Sequence, residues 1–290
     1  MIHGVLLLDK PKNISSNKAL FFVKKILSPR KAGIVGVLDP LASGMLPIVL
    51  NEGTKLAKYI ENKDKDYLVI AKFGHKSTTG DAEGIITQTH NNVSRKLNNT
   101  PLNSIADNFI GQQKQVPPMY SGLKVNGVKL YKLARQGISI DRRPRVINVH
   151  DLKIISVDND EITMKISCSK GTYIRTLIES IGDYLGVGAY TKELRRLRVG
   201  AFEEKNMITL DDLTNHQNSI VSLDTMINDM DIILVKSDEL KMLRFGQTVY
   251  TQKYKNIDEI AIKDSNSNLV GIGKIINNYI YPKRLMNFDE

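Results

Sequence analysis

The chain has 290 residues, of which 41% are hydrophobic and 25% charged, and its formal net charge is +10. These proportions are ordinary for a soluble globular protein. A single cysteine, Cys168, excludes an internal disulfide framework, and the five scattered histidines offer no metal-ligand spacing. We therefore expect a cytoplasmic protein without a metal site.

The positive charge is concentrated in two segments. Residues 1–31 carry seven lysines and arginines against Asp9, and residues 121–147 carry seven against Asp141. This imbalance favours a polyanionic partner, with nucleic acid as the first candidate. A membrane is not expected, because no apolar run approaches about 18 residues, no signal-peptide pattern is present and no basic helix has a clean apolar face.

Apolar patterning and turn residues predict the elements of the first half of the chain. In chain order they are a buried strand at 4–8, a helix from Ser15 or Ser16 to Leu27, a short helix at 54–60, a strand at 67–73 that pairs with 85–87 in a long-tipped hairpin, and a loop at 89–100.

The second half is predicted in the same way. Its elements are a helix at 102–110, an extended edge or loop at 116–120, a helix at 128–136 ended by Gly137, paired strands at 146–157 and 162–168, a helix at 173–185, and two short amphipathic pieces at 208–229 that form a helical connector. Residues 231–290 differ in character, with short strands at 260–262, 269–276 and 279–281. They predict a small β-rich domain.

Asp39 stands between a glycine-interrupted apolar run and a turn-forming segment. Gly33, Gly36 and Gly44 let the backbone approach another segment or a ligand closely, and Pro40 stiffens the loop that follows. One interpretation is a turn or helix N-cap residue. The other is a functional carboxylate, which the long flank of small residues and the surrounding positive charge favour.

The sequence contains no Walker loop, dinucleotide fingerprint or serine-centred elbow, so we expect chemistry without a cofactor. A carboxylate on a rigid turn can act as a nucleophile at a sugar C1′ or as a general base. Glycoside hydrolysis needs a second carboxylate, and Glu52 or Asp81 could serve, but nothing in the sequence places either beside Asp39.

Several collinear segments resemble a single enzyme family. They are Lys31 to Lys55, Asp9-Lys-Pro11, Lys65-Asp-Tyr67, Gly80-Asp-Ala-Glu-Gly84, 117–124, 130–137, 168–176 and 194–197. Together they resemble the TruB family, the bacterial tRNA pseudouridine-55 synthases, whose signature runs Gly-His-x-Gly-Thr-Leu-Asp-Pro-x-Ala-x-Gly-x-Leu-Pro. The tail, with Gly246, Gly271-Ile-Gly273 and 281–285, resembles that family's PUA-type RNA-binding domain.

The resemblance implies an α+β fold with a mixed, mainly antiparallel central sheet flanked by helices in residues 1–230. Residues 208–230 would be a helical connector, and residues 231–290 a β-rich PUA-like domain. It also implies that the protein is a monomer that converts uridine 55 in the T-loop of tRNA to pseudouridine. The uridine would be flipped out of its stack, and no metal or other cofactor would be needed.

The resemblance also assigns roles to individual side chains. Asp39 would be the nucleophile, and Arg175 would pair with it and keep it ionised. Tyr67 would stack on the flipped base and serve as the proton-transfer partner. The expected substrate-binding residues are Tyr173, Leu194, Ile34, Lys10, Lys124 and Lys170.

This chain departs from the family pattern at a few positions. Ile34 stands where the family has histidine, and it can neither hydrogen-bond nor carry charge. Asn13 replaces a glycine, and Asn51 and Gly53 alter the Gly-Glu-Ala-Thr-Lys segment. These departures leave open an RNA-binding or tRNA-folding protein with weak turnover. A carboxylate glycosidase, which would release free uracil, is the third hypothesis.

Overall fold

A computed structural model describes residues 2–98, 100–214, 220–252 and 256–288. Its strands up to residue 221 are β1 (Gly4–Lys10), β2 (Ala32–Ile34), β3 (Ser43–Leu50), β4 (Lys65–Phe73), β5 (His75–Ser77), β6 (Ile86–Gln88), β7 (Gly111–Gln115), β8 (Lys124–Val125), β9 (Val128–Lys129), β10 (Arg145–Asp158), β11 (Glu161–Cys168), β12 (Ala189–Val199) and β13 (Ile220–Val221).

Within the described residues, nine of these strands form one mixed sheet. The spatial order is β13-β1-β3-β12-β4-β11-β10-β7, with β2 paired to β3. Every neighbouring pair is antiparallel except β3 and β12, which run parallel. The mixed, mainly antiparallel sheet predicted from the sequence is therefore confirmed.

The helices are mostly short. They are α1 (Ser16–Leu27), α2 (Ala57–Glu61), α3 (Val93–Asn98), α4 (Leu102–Phe109), α5 (Leu130–Ala134), α6 (Ile174–Tyr184) and α7 (Ser237–Arg244), with 3-10 turns at Asn51–Leu56, Glu204–Asn206, Asp212–Thr214 and Leu223–Ile227. The longest, α1, starts as expected, because the Ser15 hydroxyl accepts a hydrogen bond from the backbone N–H of Lys18 at 3.1 Å. None of the helices described is long and apolar enough to cross a membrane.

β3 is buried along its whole length because apolar side chains cover both faces of the sheet. Leu46, Ile48 and Leu50 enter the cluster that contains α1 and α6. Met45 and Val49 point the other way, into a cluster shared with the C-terminal domain. The strand is thus a rigid support for the loop that precedes it.

Three sequence predictions are wrong. β6 pairs with β5 and not with β4, because both edges of β4 are already occupied by β11 and β12. Part of the 89–100 loop is helix α3, which buries Val93 and Leu97. The 128–136 helix is only α5, because Asn126 and Gly127 take positive φ and turn β8 back into β9.

Within the predicted helical connector at 208–229, the described residues form two short 3-10 helices, Asp212–Thr214 and Leu223–Ile227, and the strand β13, which pairs with β1. Part of that prediction, residues 215–219, lies outside the described residues. The short β13 extends the central sheet at its β1 edge.

The C-terminal residues form a second sheet, as predicted. It consists of β14 (Ile232–Leu234), β15 (Val249–Tyr250), β16 (Ile257–Lys263), β17 (Leu269–Ile276) and β18 (Tyr279–Leu285), in the order β14-β16-β17-β18-β15. Asn277 and Asn278, both with positive φ, make the β17–β18 turn. Ala261, Ile272 and other side chains pack against the central sheet. The boundary at residue 231 stays a prediction.

Candidate active site

The Asp39 side chain projects from a loop between β2 and β3 that is fixed at several points. The Ser16 hydroxyl donates to the Leu38 carbonyl oxygen at 2.8 Å and accepts from the Leu38 N–H at 2.9 Å. The Asn13 N–H bonds to the Pro40 carbonyl at 2.8 Å. In the described structure a strand follows this loop, so Asp39 is not a helix N-cap.

Gly44 closes the loop at a point where no side chain fits. Its φ is +92°, and an added Cβ would lie 2.3 Å from the carbonyl oxygen of Arg196 on β12. The glycine is therefore required for the close approach of β3 to β12 as well as for its backbone conformation. The Asp39 carboxylate is left 37% exposed, which is enough for a substrate to reach it.

Arg175, on the first turn of α6, is the main partner of Asp39. Its Nε lies 3.0 Å from Asp39 Oδ2, and its Nη2 lies 3.4 Å from Oδ1. The guanidinium is almost fully buried and also donates to the carbonyls of Thr79 at 2.8 Å and Tyr120 at 2.6 Å. This fork geometry fixes the orientation of the carboxylate.

Asp81 is a second carboxylate on the same guanidinium. Its Oδ2 lies 3.3 Å from Arg175 Nη1, and its Oδ1 accepts from the Thr79 hydroxyl at 2.6 Å and from the Glu83 N–H at 3.0 Å. Asp81 is 2% exposed. One arginine therefore bridges a buried carboxylate and an accessible one.

The Asp39 carboxylate has opposing influences on its ionisation. Burial raises its pKa above the ordinary value, the Arg175 charge opposes that rise, the Asp81 charge adds to it, and the Lys10 charge opposes it. Burial is the largest effect, so the carboxylate loses its proton less readily than a free aspartate does. Ionisation at neutral pH depends on the two cations that face it.

Tyr67 and Leu194 are buried in the same apolar cluster as Leu38, the residue before Asp39. They lie on the paired strands β4 and β12, where Tyr67 is opposite Arg196 and Leu194 is opposite Val69. Both side chains are under a tenth exposed. Burial raises the pKa of the Tyr67 phenol, so the ring presents a neutral hydroxyl at neutral pH.

Tyr173 precedes α6 and is held by Gln115 of β7. The Gln115 side chain accepts from the Tyr173 N–H at 2.8 Å and donates to the Tyr173 carbonyl at 3.0 Å. The phenol ring is half-buried, and burial raises its pKa. The structure therefore brings Tyr173 to the same end of α6 as Arg175.

Lys10 takes a different place from the one expected. It is fully buried and donates to the backbone carbonyls of Pro11 at 2.8 Å, Ile14 at 2.8 Å and Pro40 at 3.2 Å. Burial lowers its pKa to about 8, against the opposing charge of Asp39. An ammonium group has three donors. Since all three are in use, the direct substrate contact expected of Lys10 is not supported.

The other expected substrate-binding residues are more scattered. Lys170 donates to the side chain of Asn62 at 2.9 Å, and Lys124 is exposed on the β8–β9 hairpin. Ile34 ends β2, pairs with Ile48 and packs against the main apolar cluster. Of these three residues, Lys124 is the one that is exposed on the basic 121–147 segment, where its ammonium group could meet a phosphate.

Comparison with known proteins identifies the family. A model of the TruB family pseudouridylate synthase N-terminal domain matches residues 24–174. A tRNA pseudouridylate synthase B C-terminal domain model matches 175–235, and a pseudouridine synthase II TruB C-terminal model matches 233–286. The chain belongs to the TruB family. The resemblance inferred from the sequence is confirmed, and with it the class of enzyme, a pseudouridine synthase.

Two relatives illustrate the likeness of TruB sequences to this one. The tRNA pseudouridine synthase B of Nitrosococcus oceani is 42% identical, covering 98% of this chain and 95% of the relative. That of Pectobacterium atrosepticum is 38% identical with the same coverage. A solved H/ACA RNP bound to a substrate RNA containing 2′-deoxyuridine has a chain of the same fold, with a TM-score of 0.73, 23% identity and coverage of 99% of this chain and 86% of its own.

The structure explains two departures from the TruB pattern. Gly53 lies where an added Cβ would be 2.7 Å from the carbonyl oxygen of Gly4, so glycine relieves a close contact between the 3-10 turn and β1. Asn13 has a φ of 66°, a conformation that asparagine tolerates better than most residues.

Sequence reasoning missed two charged residues of this site. Asp81 was considered only as a glycosidase acid, and the structure instead places it on Arg175. Arg196 was assigned no role. Glu52, the other candidate for a glycosidase acid, lies elsewhere, because it accepts hydrogen bonds from Lys55 and from the Asn287 N–H at the C-terminal domain. In the described residues, no cluster of three or more carboxylate, imidazole or thiol groups could hold a metal ion.

Proposed function

We propose that this protein converts uridine 55 in the T-loop of tRNA to pseudouridine, with Asp39 as the nucleophile and without a cofactor. The observation that carries the proposal is the accessible Asp39 carboxylate, held in two contacts by buried Arg175. Relatives about 40% identical over nearly the whole chain are named tRNA pseudouridine synthase B.

The reaction moves one bond and needs no oxidant. The ionised Asp39 acts on the ribose of the flipped nucleotide, either by forming an ester at C1′ or by removing the C2′ proton to give a glycal, and the C1′–N1 bond breaks. The detached uracil rotates and bonds to C1′ through C5. In the ester route this bond displaces the Asp39 carboxylate from C1′, and in the glycal route Asp39 returns the proton to C2′. The C5 proton then leaves, and N1 gains a proton, so the product is an isomer of the substrate.

The pocket residues have distinct parts in this scheme. Arg175 keeps Asp39 ionised and oriented. Tyr67 stacks on the uracil and takes part in proton transfer, and Tyr173 and Leu194 complete the pocket wall. Extruding the base costs a few kcal/mol. Cationic surface residues such as Lys124 offset that cost by binding phosphates of the T-arm. The protein acts as a cytoplasmic monomer.

The test is to map pseudouridine in a tRNA transcript after incubation with the protein. Wild type should produce pseudouridine at position 55, whereas Asp39→Asn should produce none. Glu52→Gln is the matched control, because it also neutralises a carboxylate but lies at the C-terminal domain. A transcript with cytidine at position 55 should stay unmodified. Release of free uracil in place of pseudouridine would instead identify a glycosidase, and absence of both products from wild type would refute the proposal.

The alternative of an RNA-binding protein with weak turnover depends on Ile34. Because Ile34 packs against the main apolar cluster, its replacement of histidine leaves β2 and the Asp39 loop intact. We expect wild type to turn over at least as fast as Ile34→His. A large gain in turnover for Ile34→His, at unchanged tRNA affinity, would favour the alternative.

A further inference from the structure

Arg196 is an almost completely buried arginine that bonds to both sides of the candidate site. Its Nε donates to the carbonyl oxygen of Met45 at 2.7 Å, and its Nη2 donates to that of Gly36 at 2.7 Å. Burial raises the pKa of the Tyr67 phenol, and the Arg196 charge is the largest influence that opposes the rise. Arg196 and Tyr67 are directly paired across β12 and β4. One side chain thus contacts the loop that carries Asp39 and the strand that carries the phenol.

The two carbonyls that Arg196 binds flank the Asp39 loop. Gly36 precedes the aspartate, and Met45 follows it at the start of β3. Gly36 has a φ of +69°, and an added Cβ would lie 3.2 Å from Arg196 Nη1. The backbone of Arg196 meets β3 as well, because it pairs in parallel with Gly44. Arg196 therefore links the two ends of the Asp39 loop through its hydrogen bonds to Gly36 and Met45.

The charge of Arg196 is unusual for its burial. In the described part of the chain, no carboxylate forms an ion pair with it, although its neighbours Arg195 and Arg198 are paired with Asp9 and Asp66. Burial and then the Arg196 charge lower the pKa of Lys65 to about 8. A buried cation held only by neutral acceptors is costly. A long apolar side chain could fill the same volume without that cost.

We propose that Arg196 is a positioning residue of the reaction, which fixes the distance between the Asp39 carboxylate and the Tyr67 ring. The inference rests on the proposed function, because it concerns the same site. The guanidinium donates to two carbonyls at once in a fixed plane, whereas an ammonium on a flexible stem cannot reproduce that plane, and the Arg196 backbone is paired with Tyr67. Since Arg196 is almost completely buried, its effect passes through the Asp39 loop that it binds and through Tyr67, with which it is paired.

The consequence is a selective loss of the chemical step. A displacement of about 1 Å between reacting groups is enough to reduce a rate by about 100-fold. Arg196→Lys keeps the charge and most of the volume but loses the fork. We expect it to lower the single-turnover rate constant of pseudouridine formation by about 100-fold. The dissociation constant for tRNA should change by less than about 3-fold, because the basic surface is intact.

The experiment compares Arg196→Lys with Arg195→Lys, a matched change one residue away whose ion pair with Asp9 a lysine can keep. Arg195→Lys should retain the wild-type rate within about 2-fold. Each protein is checked for cooperative thermal unfolding and for tRNA affinity before its rate is measured. A rate for Arg196→Lys within 2-fold of wild type would overturn the inference alone. Failure of wild type to form pseudouridine would overturn the proposed function and this inference together.

Tyr67→Phe separates positioning from a merely structural role. It removes the phenol hydroxyl and keeps the ring of the residue that is paired with Arg196. If Arg196 couples the loop to the phenol, then Arg196→Lys should cost clearly less in the Tyr67→Phe protein than in wild type. If the fold reduction in rate of the double variant equals the product of the two single reductions, Arg196 acts on the loop independently of Tyr67 and the coupling is refuted.

Discussion

Replacement of Arg175 by methionine tests how the two carboxylates of the site are held. Methionine keeps the apolar stem and removes the guanidinium that bridges Asp39 at 3.0 Å and Asp81 at 3.3 Å. It also removes the bonds to the carbonyls of Thr79 and Tyr120. Asp81 is left as a buried carboxylate without its cation. The variant should therefore be destabilised far more than a surface arginine variant.

The magnitude follows from the burial of the pair. Removing one partner of a buried ion pair costs about 3–5 kcal/mol. For a chain of this size each kcal/mol lowers the melting temperature by roughly 2–4 °C, so we expect a decrease of roughly 6–20 °C at pH 7.5. The control Arg195→Met breaks a half-exposed pair with Asp9 and should cost about 1 kcal/mol or less.

The pH dependence has a definite sign. Without Arg175, the pKa of Asp39 in the folded protein rises further above that of the unfolded chain. The folded state then binds more protons than the unfolded state, so its stability increases as the pH falls. The deficit of Arg175→Met relative to wild type should be smaller at pH 5.0 than at pH 7.5, as measured by urea or thermal unfolding of the protein alone.

A second substitution makes this reasoning refutable. Asp81→Asn removes one of the two stranded charges with little change of shape, so Arg175→Met/Asp81→Asn should be more stable than Arg175→Met at pH 7.5. The two effects should therefore not add. If the double variant loses the sum of the single effects, or if the deficit is the same at both pH values, the shared-cation explanation is wrong.

Three further predictions follow from individual residues. Because burial raises the pKa of Asp39, the single-turnover rate should fall with decreasing pH around a midpoint above 3.8, and a flat pH–rate profile would contradict this. Gly44→Ala should lower the free energy of unfolding by about 2 kcal/mol or more in urea titrations, since its Cβ meets the Arg196 carbonyl at 2.3 Å. Lys124→Met should reduce the slope of tRNA affinity against salt by about 1, whereas Lys241→Met on α7 should not.

The sequence predicted elements well where one local pattern decided them. The α1 helix, with its serine cap and apolar spacing, and the paired strands β10 and β11 lie close to the predicted ranges. The predicted hairpin failed because other strands already occupied both edges of the expected partner strand. Residues 85–87 have the pattern of a strand, but β4, the strand expected to pair with them, is already paired with β11 on one edge and β12 on the other. No local pattern contains that information.

The same distinction applies to the site. Asp39 was recognisable from the small residues around it, because a loop that approaches other backbone closely needs glycine at defined points. Arg175 lies 136 residues further along the chain and was placed only by family resemblance. Asp81 and Arg196 reach the site through strand register: Asp81 forms a bridge with Thr191, and Arg196 is paired with Tyr67. Their proximity is a property of the assembled sheet.

The charges of the site explain why it needs so many buried polar groups. In the proposed reaction the Asp39 carboxylate must be ionised and the pocket around the detached uracil must exclude water, but burial raises the pKa of Asp39. Arg175 opposes that rise but is shared with Asp81, which fixes its position and reduces its effect on Asp39. Lys10 also opposes the rise, while its three donors are bound to backbone carbonyls. Its charge thus acts on Asp39 without occupying the carboxylate oxygen atoms.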